Sequence, residues 1–193
     1  MRVIFLDRDG VINRYPGHRD YVKNLKEFSF LPGALRALKR LTDSSFKIFI
    51  VSNQAGVAKG IYSRGNLQAI NAFMLKKVHS FGAKISGVYY CTHKEDDGCE
   101  CRKPRLGSIK RALKKVGTRP EKPIYFIGDS TLDVETGKNA GMKTILVLSG
   151  KEKKRNQQKW QVRPDFVAKD LLAATKIVLN EDSGRLRLSR RRS

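Results

Sequence analysis

Residues 1–13 read MRVIFLDRDGVIN. Val3, Ile4, Phe5 and Leu6 make a continuous run of apolar, strand-forming side chains. Such a run predicts a short strand buried on both faces, as in a parallel sheet. It stops at Asp7-Arg8-Asp9-Gly10. In open α/β sheets, ligands bind just beyond the carboxyl ends of the strands. Two carboxylates two positions apart at such an edge repel unless a cation sits between them. Gly10 lets the backbone turn sharply after them.

The same pattern recurs downstream. Phe46 to Val51 (FKIFIV) is a second buried-strand candidate, followed by Ser52-Asn53-Gln54-Ala55-Gly56. Taken alone, Ser52 reads as a helix N-cap. A hydroxyl followed by a glycine-containing turn can also hold a phosphate with its OH and free amides. Ile124 to Ile127 (IYFI) predicts a further buried strand, ending in Gly128-Asp129-Ser130-Thr131-Leu132-Asp133. Val88 to Tyr90 and Thr144 to Leu148 complete five strands, and Asp165 to Ala168 suits a sixth at an edge. Helical spacing of apolar residues follows Gly33, spans residues 66–81 and 107–116, and closes the chain over 171–179. Strands alternating with helices predict an α/β fold, a doubly wound and mainly parallel sheet.

Between the third and fourth strands stands Cys91-x-His93-x5-Cys99-x-Cys101, which uses every cysteine of the chain. Three thiolates and one imidazole suit tetrahedral Zn2+. Four protein ligands close such a site, so its role would be structural. An odd cysteine count in one short cluster argues against a disulfide framework. Arg102-Lys103-Pro104 follows at once.

The string DRDGVIN resembles motif I of the haloacid dehalogenase-like phosphohydrolases. Arg8 between the two acids is similar to the branch of the heptose bisphosphate phosphatases and histidinol-phosphate phosphatases. The resemblance covers about residues 1–180 and implies a role for each matching position. Asp7 would be the nucleophile that forms an aspartyl-phosphate, and Asp9 the general acid and base. A carboxylate nucleophile divides ester hydrolysis into two easier displacements, and a second carboxyl carries the proton each way. Ser52 would orient the phosphoryl group and Lys103 would neutralise Asp7 and the phosphate. Asp129, with Asp7 and Asp9, would hold Mg2+, with Asp133 supporting that shell or Lys103. Arg8, Asn53, Gln54, Lys59 and Arg102 would contact substrate; a guanidinium at 102 suits a second phosphate or a pair of sugar hydroxyls. The C-x-H…C-x-C loop also occurs in this branch. Ser130 departs from the Lys common in heptose phosphatases.

With 193 residues, one domain is expected, and 40% hydrophobic content excludes wholesale disorder. No apolar run reaches the length of about 18 residues that reads as a membrane span, and a cytoplasmic location is the default. The formal net charge is +22, which favours anionic partners. Residues 151–193 hold 13 basic and 5 acidic residues and residues 1–150 hold 27 and 13, so the excess is spread along the chain. Residues 14–30 read as a loop able to drape over the site, where Arg14, His18, Arg19 and Tyr21 could supply contacts. Residues 149–163 read as a mobile surface loop, and 181–193 as a disordered basic tail. No insertion is long enough for a large cap domain.

The function expected is that of a Mg2+-dependent phosphomonoesterase with a structural Zn2+, acting as a monomer in carbohydrate metabolism. Its substrate would be a small phosphorylated metabolite, D-glycero-D-manno-heptose 1,7-bisphosphate losing its 7-phosphate. A histidinol-phosphate phosphatase is the alternative enzyme. The charge also leaves open a nucleic-acid-associated protein or a polynucleotide 3′-phosphatase.

Overall fold

A computed structural model describes residues 1–117 and 119–190, with backbone alone for 185–190. Six strands form one sheet: β1 (Arg2–Leu6), β2 (Phe46–Asn53), β3 (Ile85–Cys91), β4 (Tyr125–Gly128), β5 (Lys143–Val147) and β6 (Phe166–Ala168). Between them run α1 (Ala34–Asp43), α2 (Arg64–Ser80), α3 (Gly107–Val116) and α4 (Thr131–Asn139), and α5 (Leu171–Arg190) follows β6. The spatial order is β3-β2-β1-β4-β5-β6, and every neighbouring pair is parallel.

The central strand explains itself. Side chains alternate between faces along a strand, and both faces of β1 are covered. Ile4 and Leu6 enter a core shared with Leu38 and Leu41 of α1 and with Ala174 and Val178 of α5. Val3 and Phe5 enter a second core with Ile109 and Ala112 of α3. The Phe5 ring stacks between Phe49 and Phe126, at centroid distances of 5.5 and 6.3 Å. Burying one such side chain contributes about 1.5–3 kcal/mol, so a polar residue at position 4 or 5 would cost the fold heavily.

The chain winds outward from β1 to β3, then returns to the other side of β1 for β4. The two crossovers diverge there, and the divergence opens a crevice beyond the carboxyl ends of β1 and β4. The described residues add no second domain over it.

Two expectations change. Residues 149–163 hold a 3-10 turn (Lys154–Lys159), and Trp160 is buried against Val134 and Leu146. Its indole Nε1 donates to Glu152 at 2.9 Å. An amphipathic ring with a partner for its N–H makes this loop an ordered strap. The boundary expected at residue 181 falls inside α5. Glu181 accepts from Lys143 at 2.6 Å, and Asp182 accepts from Arg2. Acidic side chains within the basic sequence anchor the helix past the point where the sequence alone suggests a tail; residues 191–193 lie outside the described residues. Among the described residues, no helix is long and apolar enough to cross a membrane.

Candidate active site

Asp7 extends β1 by one pairing, its N–H donating to Ile127 O at 3.0 Å. The chain then turns at Gly10, whose φ is +75°. Gly128 ends β4, and Asp129 follows at the same rim. An oxygen of each of Asp7, Asp129 and Asp133 lies within 4.8 Å of the others, and all three residues are buried. Lys103 arrives from the loop before α3. Its Nζ lies 2.9 Å from Asp7 Oδ2 and 2.6 Å from Asp133 Oδ1.

Asp133 caps α4: its Oδ2 accepts from Ser130 N at 3.1 Å and Ser130 Oγ at 2.6 Å. Ser130 therefore serves the capping box, and Asp133 stands behind the cleft to hold Lys103. Asp7 and Asp129 line the cleft itself, with Asp9, Ser52, Asn53, Lys103 and Lys151. Its volume is about 150 Å³.

Three buried carboxylates share one ammonium, and the imbalance shows in their titration. Burial pushes the Asp7 carboxyl up to about 6, against the pull of Lys103. Burial, and then the charges of Asp133 and Asp7, hold Asp129 well above the ordinary carboxylate range. Burial works against the Lys103 charge, but Asp133 and Asp7 outweigh it and keep the ammonium above its usual value. Excess negative charge among oxygen donors fits a hard divalent cation. Asp7 and Asp129 are the residues placed to hold one.

Ser52 is the penultimate residue of β2 and is 2% exposed. Its hydroxyl opposes the upward shift of the Asp7 carboxyl. Asn53 lines the cleft but also clasps the Lys103 peptide, donating to Lys103 O at 3.2 Å and accepting from Lys103 N at 3.0 Å. It fixes the backbone from which the ammonium reaches inward.

Three expected positions differ. Arg8 is 0% exposed and does not face the cleft as a substrate contact. Consecutive residues at a strand end point to opposite sides, so Asp7 meets the crevice while Arg8 goes beneath it. Gln54 is equally buried and bonds Asp9, Ser52 and Tyr62. Asp9 lines the cleft, yet its carboxylate is outside the three-acid cluster and is held by Arg8, Asn13 and Gln54.

A second groove of about 380 Å³ adjoins the cleft through Lys103 and Leu132 and is lined by Glu95, Arg102 and Arg105. Arg102 and Lys59 meet at Glu95: Lys59 Nζ lies 3.2 Å from Glu95 Oε2, and Arg102 donates to Glu95 Oε1. In the 14–30 loop, Tyr15, Pro16, Asp20 and Tyr21 line the cleft, whereas Arg14, His18 and Arg19 are exposed.

Sequence reasoning missed the 149–152 segment. Lys151 N donates to Asp129 Oδ2 at 2.7 Å, Glu152 N donates to Asp129 O at 3.0 Å, and Ser149 Oγ donates to Gly10 O at 2.7 Å. These contacts are mostly backbone amides, which every residue type carries, so side-chain identity left no signal.

The cysteine loop folds into a four-donor cluster. Cys101 Sγ is 3.2 Å from Cys91 Sγ and 3.6 Å from Cys99 Sγ, and His93 Nδ1 is 3.2 Å from Cys101 Sγ. All three cysteines are free thiols. A tetrahedron with Zn–S bonds of about 2.3 Å has edges a little under 4 Å. The donor set and spacing fit that ion, and a disulfide would need the sulfurs about 2 Å apart.

Residues 100–174 match the HAD-hydrolase-like family model. The D-glycero-beta-D-manno-heptose-1,7-bisphosphate 7-phosphatase of Pseudomonas aeruginosa is 35% identical over 149 residues, covering 77% of this chain and 82% of that protein. The enzyme of the same name from Neisseria meningitidis is 31% identical over 185 residues, covering 95% and 97%. The crystal structure of D,D-heptose 1,7-bisphosphate phosphatase from B. bronchiseptica, complexed with magnesium and phosphate, superposes with a TM-score of 0.85 at 31% identity, over 94% of this chain and 99% of that one. The chain belongs to the haloacid dehalogenase-like phosphatases, in the branch that contains the heptose bisphosphate phosphatases.

Proposed function

We propose that this chain is a Mg2+-dependent phosphomonoesterase that removes the 7-phosphate from D-glycero-D-manno-heptose 1,7-bisphosphate through an aspartyl-phosphate. One observation carries the chemistry: Asp7 and Asp129 share a buried cluster in which Lys103 Nζ lies 2.9 Å from Asp7 Oδ2. The substrate rests on the named relatives and on the groove that continues past Lys103 to Arg102 and Arg105.

In this reading an Asp7 oxygen attacks phosphorus while the ester P–O bond breaks. Asp9 gives its proton to the departing sugar oxygen. Water then attacks the phosphorus, Asp9 takes the water's proton, and the Asp7–phosphorus bond breaks to release inorganic phosphate. Ser52 and Lys103 orient the phosphoryl oxygens and oppose their charge. Mg2+ held by Asp7 and Asp129 supplies the positive charge that lets two anions approach. Arg102 receives the distal phosphate, a task suited to a planar guanidinium; Asn53 and Lys59 act at the rim. Cys91, His93, Cys99 and Cys101 hold a structural Zn2+ that shapes the loop leading into Arg102 and Lys103. The enzyme acts as a cytoplasmic monomer on a small metabolite.

The test is a substrate panel compared by kcat/KM: heptose bisphosphate in both anomers, histidinol phosphate and a 3′-phosphorylated oligonucleotide. The heptose bisphosphate should lead. Preference for histidinol phosphate or the oligonucleotide would overturn the substrate assignment.

A further inference from the structure

Arg8 is the largest fully buried side chain of the molecule's described residues, and the proposed reaction gives it no contact with substrate. Its Nε lies 3.1 Å from Asp9 Oδ1, and its Nη2 lies 2.9 and 3.0 Å from Asp9 Oδ1 and Oδ2. Nη2 also donates to Gln54 Oε1 at 3.2 Å. Gln54 Nε2 returns to Asp9 Oδ2 at 2.8 Å and reaches Ser52 Oγ at 3.2 Å. Tyr62 Oη donates to Gln54 Oε1 at 2.6 Å, and Asn13 Nδ2 donates to Asp9 Oδ1 at 2.8 Å. The guanidinium lies over the Tyr90 ring, 5.4 Å from its centroid.

A buried cation is costly unless paired and hydrogen-bonded. This one turns Nε and Nη2 to the Asp9 carboxylate, with Nη2 shared with Gln54, and leaves Nη1 without a hydrogen-bond partner among the described residues. Burial alone disfavours the charge, but Asp9 outweighs it and holds the guanidinium above its ordinary value.

We propose that Arg8, with Gln54 and Tyr62 behind it, is a positioning residue that aims the Asp9 carboxyl for proton transfer. The inference rests on the reading of Asp9 as general acid and base. Arg8 moves no proton itself; the proton passes from Asp9 to the leaving oxygen, and from water back to Asp9. A planar fork bound through two nitrogens fixes both the position and the rotation of a carboxylate. An ammonium fixes neither, so Arg8→Lys keeps the charge and loses the aim.

Leaving-group dependence separates aiming from scaffolding. A sugar alkoxide needs its proton as the P–O bond breaks, whereas p-nitrophenolate leaves unaided. In the intact Mg2+- and Zn2+-loaded protein, Arg8→Lys should lower kcat on heptose bisphosphate on the order of 10- to 100-fold, part of the 10²–10⁴ that general acid catalysis contributes. On p-nitrophenyl phosphate the loss should be about 3-fold or less, with KM little changed on both. Tyr62→Phe, which removes one hydroxyl and keeps the ring, should show the same inequality at smaller amplitude even if Arg8→Lys fails to fold. Equal losses on the two esters, in whichever variant folds, would overturn the proposal. Asp9→Asn serves as reference: if it shows no leaving-group discrimination, the general-acid reading fails. If it discriminates while the other two do not, only the role of Arg8 fails.

Discussion

A methyl group placed on Gly150 would lie 1.9 Å from Asp129 Oδ2. The strap after β5 packs that tightly so that the Lys151 amide can reach the same oxygen. Gly10 also crowds Asp129: an added Cβ there would lie 2.1 Å from the same Oδ2. Gly150→Ala must therefore displace either the strap or the carboxylate. The expected result is a loss of about 1–3 kcal/mol of stability, with Mg2+ affinity and kcat/KM falling together. A Mg2+ titration of activity against thermal unfolding checks it; an unchanged midpoint for Mg2+ would contradict it.

Asp7→Asn removes the attacking oxygen without changing shape. Turnover of phosphate monoesters should fall by about 10³-fold or more, in line with the loss of a covalent nucleophile. Because burial already disfavours the Asp7 charge, the metal-free variant should unfold no earlier than the parent. Acid-quench trapping of a phosphorylated chain should succeed for the parent and fail for the variant.

Metal removal should reveal a pH dependence of stability. The Asp7 carboxyl is raised to about 6 in the fold, above its value near 3.9 in an unfolded chain. Between those values the folded state holds a proton that the unfolded chain has released, so stability drops as pH rises through the window. Asp129 shifts in the same direction. Urea unfolding in chelator should show a loss of up to about 3 kcal/mol from Asp7 between pH 4 and 6. Magnesium should reverse the loss above pH 6, and Asp7→Asn should flatten the slope.

The cysteine cluster predicts about one zinc per chain by metal analysis. Cys99→Ser should lose it. Arg105 donates to Cys99 O at 2.8 Å and Arg102 to His93 O at 3.3 Å, so the basic residues beside the cleft lose their supports with the ion. Activity should fall even though no cluster ligand lines the carboxylate cleft. Zinc-free parent protein of normal stability and full turnover would refute a structural role.

Much of this was legible in the residues. Val3 to Leu6 is apolar on both faces because its strand is central, and Asp7, Ser52 and Asp129 each follow such a run. In a parallel sheet those ends share one rim, so two distant acids and a hydroxyl could be placed together from sequence alone. The family resemblance implied that Asp133 supports either the metal shell or Lys103, and the 2.6 Å contact joins it to Lys103. Direction was harder. Nothing in the letter sequence says that Arg8 turns under the sheet rim, or that Asn53 holds a peptide bond. The strap over Asp129 works through main-chain amides, and Trp160 looked solitary because its apolar neighbours, Val134 and Leu146, come from α4 and β5.

Glu181 and Asp182 fasten α5 to Lys143 and Arg2, residues at the beginnings of β5 and β1. That seam lies at the opposite rim of the sheet, a full strand length from the acids. A fluorophore at the neighbouring exposed position 183 could time the peeling of the last helix while phosphate release times the chemistry, giving two independent clocks in one molecule.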